Sequence, residues 1–485
     1  MSTVNRRWYS GMASSEDWWA VWLGMILFLA GFMSIAGVDL VGWMAKTRTW
    51  VDFSPDNVLQ PAGAAYAGWG PWASLGMTYA VFTILTCAGA AAMRLDVRRF
   101  FLGWTILFAI TWLTWIIGHE AHLKATPNDF DKYGIEWGLS LGGGASYLLA
   151  LVVGLAIGNF VKPLARFLEE AAKPEWYIKT AIVFLGIKIG LMSMEAAGFA
   201  FELAMAGICA AFAAYLLFWP IMYAAGRRLF SLPRQWAAVL ASGISICGVS
   251  AAIATAGAIR AKPVIPVMVS MLIVVFAMVE LIILPGVYAA FAPNEPIVNG
   301  AALGLTIKTD GADAAAGAIL DELMRATEAG QGWQEGWILA AAVMTKIWID
   351  VFIGVWAFVL ALIWIYKVER SPGQLSIGLS EIWFRFPKFV LGYLLTWFVY
   401  LGIATFIPDL IEAAKTGAET VQSPMRKMMF MLTFVSIGVI TDFSKLRGMK
   451  RLALLYGGGL LFIIVPLGYF IAWVFHRGML PPTTG

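Results

Sequence analysis

The chain is a succession of long apolar runs, and their length confines it to a bilayer. Candidate spans lie at about 18–44, 73–93, 100–118, 138–160, 178–194, 199–224, 264–291, 337–366, 386–407, 427–441 and 452–475. A helix needs roughly 20 apolar residues to cross hydrocarbon. There every backbone polar group must be satisfied inside the protein, which leaves helices and closed barrels. The composition agrees, with 60% hydrophobic and 13% charged residues, where a soluble domain carries about 25% charged. The expectation is an all-α polytopic membrane protein of about 11–13 transmembrane helices. The runs at 178–194 and 427–441 are short, and extend into their flanks or are broken.

Several function classes fall away. No G-x-x-x-x-G-K-[ST] loop is present, which argues against ATP-driven work. Cys87, Cys209 and Cys247 sit in apolar runs with no C-x-x-C and read as small buried hydrophobes. Three histidines make a metal centre improbable, and His119-Glu120-x-His122 is a weak candidate in an outer loop. No cofactor, nucleic-acid partner or catalytic constellation is expected, and the chain does not read as an enzyme. Met1–Asp17 is polar, and the apolar run behind it is too long for a signal-peptide core.

Lys and Arg set the orientation. Clusters at Arg6 and Arg7, Arg94 to Arg99, Lys162 to Lys173, Arg227 to Arg234, Lys367 and Arg370, and Lys445 to Arg451 fall on one side if the N-terminus is cytoplasmic. The loops 46–72, 119–137 and 408–426 then face outward. This implies a multi-pass protein with a cytoplasmic N-terminus and periplasmic or extracellular outer loops.

Two interrupted segments resemble each other. At an offset of 61, Gly243 falls on Gly304, Ser245 on Thr306 and Ile246 on Ile307; at 60, Ala256–Ile259 falls on Ala316–Ile319. Paired broken segments between apolar runs point to a transport site. If 236–259 is a re-entrant hairpin, Arg260 and Lys262 lie inside, beside Arg227, Arg228 and Arg234; if it crosses as a broken helix, they lie outside. Hairpins fit the charges slightly better, and crossing broken helices remain the alternative.

The polar groups at these breaks carry the candidate chemistry. Ser245, Cys247, Gly248 and Ser250, with Gly304, Thr306, Lys308 and Thr309, are the expected substrate-binding set. Glycines free backbone N–H groups toward an anion, and hydroxyls add donors. Asp310 and Asp313 are expected to take the coupling proton or sodium ion. Ionised groups at membrane depth are costly and functional by default, so Lys346, Asp350 and Glu280 are secondary candidates. Lys346 and Asp350, four residues apart, either pair or leave Lys346 to lend positive potential to the substrate site, and Lys308 either neutralises the anion or pairs with Asp310 or Asp313. Small residues here also suit plain helix packing. Lys188 is another intramembrane lysine, which snorkelling to an interface explains about as well, and Asp442, near Lys445, reads as an interface residue.

Further motifs extend the pattern: S-I-C-G-V-S-A-A-I-A at 245–254, G-A-I-R-A-K at 257–262, G-L-T-I-K-T-D-G-A-D-A-A-A-G at 304–317, T-K-I-W-I-D-V-F-I-G-V at 345–355 and W-F-R-F-P-K-F-V-L-G-Y at 383–393. Together they resemble the YeiH-type sulfate-exporter family of bacterial membrane proteins, over about residues 135–475. The resemblance implies an inverted-repeat secondary transporter of a small oxyanion such as sulfate, sulfite or a sulfonate, coupled to protons or sodium. It implies an N-terminal extension of about three helices (1–135) and two repeats (136–299 and 300–485). It carries Ser245, Cys247, Gly248, Ser250, Gly304, Thr306 and Gly311 over as site positions. The chain departs from the family pattern at Lys308, Asp310 and Asp313, where an acid or histidine, a hydroxyl and an apolar residue are usual. A homodimer is a possible assembly, and an uncoupled anion channel is the alternative function.

Overall fold

The computed structural model describes residues 11–125, 130–139, 141, 144–195, 197–259, 261–262, 264–364, 383, 386–444 and 449–483. Arg6, Arg7, Arg260, Lys367, Arg370, Lys445 and Arg447, used above for orientation, lie outside these residues. The chain is an all-α polytopic membrane protein. Seven helices are long and apolar enough to cross a membrane, and two bent pairs raise the number to nine among the described residues.

In chain order the main helices are α1 (Glu16–Phe32), α2 (Pro71–Ala92), α3 (Val97–Ile117), α4 (Gly144–Phe160), α5 (Pro174–Glu195), α6 (Ala197–Arg228), α7 (Arg234–Ser245) and α8 (Val249–Ala258). They continue as α9 (Val264–Phe291), α10 (Pro296–Thr306), α11 (Asp310–Arg325), α12 (Trp337–Val351), α13 (Ile353–Ile363), α14 (Phe389–Phe406), α15 (Pro408–Ile440) and α16 (Lys450–His476). The short run at 427–441 is the second half of α15, which reaches back to Pro408. Pro424 lacks the N–H a helix requires, and the chain passes it in a π turn, Val421–Met425. The loop at 46–72 holds a small antiparallel ribbon, β1 (Ala45–Thr47) on β2 (Leu59–Pro61). Cys209 corrects an expectation, being exposed on α6 where a buried side chain was expected; Cys87 is half-buried.

Close helix contact organises the interior, as small residues permit in a membrane. On α5, residues Trp176 to Ile178 and Ala181 to Leu185 are buried, and Thr396 of α14 donates to the Val183 carbonyl at 2.9 Å. The N-terminal helices are tied to this core. Lys179 of α5 lies 2.7 Å from Asp17 of α1, and the Lys388 N–H reaches Asp17 at 3.2 Å. Ser34 donates to the Ala413 carbonyl at 2.8 Å, and Gly31 and Gly417 meet backbone to backbone.

Both interrupted segments are hairpins. Pro233–Trp236 at the start of α7 and Lys262 just after α8 line one cavity of about 420 Å³, so the chain enters and leaves on the same face. Midway, a Cβ on Gly243 would stand 3.6 Å from the Ala252 Cβ, which a continuous helix cannot bring about. In the second hairpin, Asn299 near the start of α10 reaches the Met324 sulfur near the end of α11, at 3.5 Å. Gly300 and Gly304 pack along α12 at Ile338 and Ala342 in the same direction, whereas Asp321 and Gly317 of α11 pack in the opposite one. The two hairpins open to opposite ends of α9. Lys262 precedes α9, while Asn299 donates to the Tyr288 carbonyl near its end at 3.1 Å. At 1.5 Å per residue, α9 is about 42 Å long, enough to cross the bilayer.

This geometry makes a direct prediction. In a background without the native cysteines, Arg234→Cys and Lys262→Cys will both be labelled by an impermeant maleimide from the same side of oriented vesicles. Labelling from opposite sides would overturn the hairpin.

Candidate functional site

The sequence offset of 61 is also the structural one. Helix α7 ends at Ser245 and α10 at Thr306; α8 begins at Val249 and α11 at Asp310. Each hairpin tip is therefore a three-residue break, Ile246-Cys247-Gly248 and Ile307-Lys308-Thr309. The tips touch. Gly248 has φ +70°, and a Cβ there would collide with the Lys308 carbonyl, so glycine answers both needs at once.

One side chain joins both tips. The Lys346 ammonium, on α12, donates to the Ile307 carbonyl at 3.0 Å and the Ile246 carbonyl at 3.3 Å. These carbonyls are equivalent under the 61-residue offset. They stand at the C-terminal ends of α7 and α10, where the helix dipole is negative and carbonyls lack intrahelical partners. Lys308 does the same for its own helix, donating to the Leu305 carbonyl, with its ammonium 5.0 Å from the Phe218 ring centre. Lys308 and Lys346 are 0% and 2% exposed.

The carboxylates are the groups left over. Asp313 and Asp350 are each 1% exposed, and neither oxygen of either accepts a hydrogen bond. Glu280 of α9 is also buried with both oxygens unpartnered, within electrostatic reach of Lys308 and Lys346. Asp310 lies near Asp350 and Asp313 and has one unpartnered oxygen. Four carboxylates thus share two lysines, and both lysines are already engaged by carbonyls.

Several expectations need correction. Lys346 and Asp350 share a helix face but form no ion pair, because the ammonium is drawn to the two broken helix ends. Lys308 pairs with neither Asp310 nor Asp313. Ser250, in the first turn of α8, is exposed where Ser245 and Cys247 are buried. Gly304 packs against the Ala342 backbone, which makes it a packing position. The Thr306 hydroxyl bonds back to the Ala302 carbonyl at 2.7 Å, and the Thr309 hydroxyl caps α11 by accepting from the Ala312 N–H at 3.3 Å. Of the hydroxyls at the breaks, Ser245 is buried with no partner, and Cys247 is buried beside it in the chain. Gly311 lies in the first turn of α11, against Ile178 and Ile437.

The remaining polar residues lie elsewhere. Lys188 reaches the loop before α12, where it meets the half-exposed Glu335 at 2.9 Å. Asp442 is an interface residue held by Lys162 at 2.9 Å, and the Ser444 hydroxyl foremost pulls its carboxyl down to about 2. His122 bonds Glu120 at 2.7 Å, and His119 faces the Trp115 carbonyl and the Ser146 hydroxyl, each at 3.0 Å. Sequence reasoning missed Asp321. Its carboxylate accepts from the N–H groups of Gly336, Ile338 and Leu339 and from Arg325, capping α12 from a neighbouring helix. The Asp321-x-x-x-Arg325 spacing was the available signal.

Fold and site together define a polytopic membrane protein built around two opposed re-entrant hairpins. The chain belongs to the UPF0324 family of membrane proteins, and the family model described as conserved hypothetical protein 698 matches residues 141–457. A UPF0324 membrane protein of Nitrosomonas europaea is 66% identical over 487 residues, covering 99% of this chain and 100% of that one. One of Rhodopirellula baltica is 28% identical over 95% of this chain and 89% of its own. One of Streptococcus agalactiae serotype V is 26% identical over 62% of this chain and 81% of its own.

Proposed function

We propose that this protein is a secondary transporter of a small oxyanion, coupled to protons or sodium and working by alternating access. The observation that carries the reading is the buried meeting of the two tips around Lys346, with Asp313, Asp350 and Glu280 unpartnered beside it. A carboxylate at mid-membrane costs about 2.5–3.5 kcal/mol on insertion scales. Carboxylates kept there without hydrogen bonds are stable when protonated or when they hold a cation. Opening either hairpin wets them on one face, and closing again requires that a cation or proton be taken up or released.

The two hairpins divide the work. Helix α11 carries Asp310 and Asp313 in its first turn, so its positive end is already answered by its own acids. Helix α8 has no acid in its first turn, and its N-terminus with Ser245 and Cys247 suits an anion's oxygens. The resemblance to sulfate exporters suggests sulfate, sulfite or a sulfonate, moved outward across a bacterial inner membrane with the N-terminus cytoplasmic.

The test is flux in proteoliposomes. Labelled sulfate or sulfite will move against its gradient when a pH or sodium gradient is imposed. Flux indifferent to both gradients would replace the transporter by an uncoupled channel. Absence of flux with sulfate, sulfite, bicarbonate and short sulfonates would end the reading.

A further inference from the structure

A second charged cluster lies at the open end of the second hairpin. Glu335 sits in the loop before α12, and its Oε1 lies 2.9 Å from the Lys188 ammonium, 3.9 Å from an Arg426 terminal nitrogen and 3.9 Å from the Lys427 ammonium. One carboxylate oxygen thus gathers three cations. Lys188 is 8% and Arg426 2% exposed, while the Glu335 side chain is 43% exposed. Two buried cations depend on a half-exposed acid.

The fit is incomplete in a telling way. Arg426 is fixed by its Nε bond to the Gln422 carbonyl at 2.6 Å and by the Phe430 ring, 5.5 Å away. Its free edge faces Glu335 at 3.9 Å, beyond hydrogen-bond distance. An Arg edge is shaped for two parallel bonds to an oxyanion. The nearby acids are otherwise engaged, Asp321 by the α12 N–H groups and Arg325, and Glu322 by Arg325 at 3.1 Å. Lys188 foremost, then Lys427, holds the Glu335 carboxyl well below its ordinary value of 4.5. The backbone on either side is held, the Gln334 N–H by the Pro482 carbonyl at 2.8 Å and the Gly336 N–H by Asp321 at 3.0 Å, so release is a turn of the half-exposed Glu335 side chain alone. Were Glu335 to leave, the buried cations would lack a counter-charge at a cost of several kcal/mol.

We propose that Lys188, Arg426 and Lys427 form a binding site for a small oxyanion of the sulfate type, filled in this conformation by the protein's own Glu335 carboxylate. The site is distinct from the hairpin tips. Glu335 precedes Lys346 by eleven residues, and the helix from Trp337 to Lys346 alone is about 14 Å long. It opens on the face opposite Lys262, where an anion would load or leave, and it stands whether or not the tips carry a coupling ion.

The experiment uses full-length protein in detergent, with thermal unfolding followed in sodium sulfate against sodium chloride at equal ionic strength. Glu335→Gln will unfold earlier than wild type in chloride and recover in sulfate. Its apparent sulfate affinity will be at least about tenfold tighter than wild type, a change of about 1.4 kcal/mol. Adding Lys427→Gln, a half-buried position, will abolish the recovery. A Glu335→Gln protein with no sulfate-specific shift overturns the site, as does a shift that survives Lys427→Gln. If Glu335→Gln is not recovered folded, Glu335→Asp withdraws the carboxylate by one methylene and must show the same sulfate rescue, or the site is refuted. Transport need not be measured, so failure here is separable from failure of the flux assay.

Discussion

Lys346→Met will destabilise the folded protein by about 3–5 kcal/mol, the usual cost of removing one partner from a buried charged arrangement. Methionine keeps the length and the apolar stem, so the change isolates the ammonium. Its loss leaves the Ile246 and Ile307 carbonyls without their shared donor and leaves Lys308 alone among four carboxylates. An unpartnered buried polar group costs about 1–3 kcal/mol by itself. The measurement is the denaturant midpoint of purified protein. A second readout is protease cleavage at the tips, which the loosened break will admit. A midpoint equal to wild type would show that the tips are held by packing alone.

Asp313→Asn will have the opposite profile, retaining the fold and losing coupling. The side chain keeps its shape and gives up a charge that nothing in the site hydrogen-bonds, so stability will hold or rise. Flux driven by a pH or sodium gradient will fall at least about tenfold, since a single pKa unit of linkage, 1.36 kcal/mol, already amounts to that factor. Exchange of labelled for unlabelled substrate with no gradient will persist. Unchanged gradient-driven flux would remove Asp313 from the coupling role and leave Asp310, Asp350 or Glu280 to carry it.

The membrane class was legible because span length and apolar content follow from the bilayer itself. The paired breaks were legible because each needs small and hydroxyl-bearing residues within an apolar run, and the 61-residue offset survives in the folded chain. The hairpin form turned on Lys262, and the structure places it with Arg234. What stayed hidden was the destination of the lysines. A four-residue spacing shows that Lys346 and Asp350 share a face, but it does not show two carbonyls arriving from segments 39 and 100 residues away. Glu335 and Arg426 gave no signal, since each looks like an ordinary residue at the edge of a span.

The bond between Asp17 and Lys179 reaches beyond this chain. The shared family region begins at residue 141, well after α1, so the acid belongs to the leader and the base to the common body. A homologue starting near that point would strand the ammonium with Glu175, which is 3.6 Å away here. Such a version would hold the lysine by the half-exposed Glu175 alone, one carboxylate in place of two.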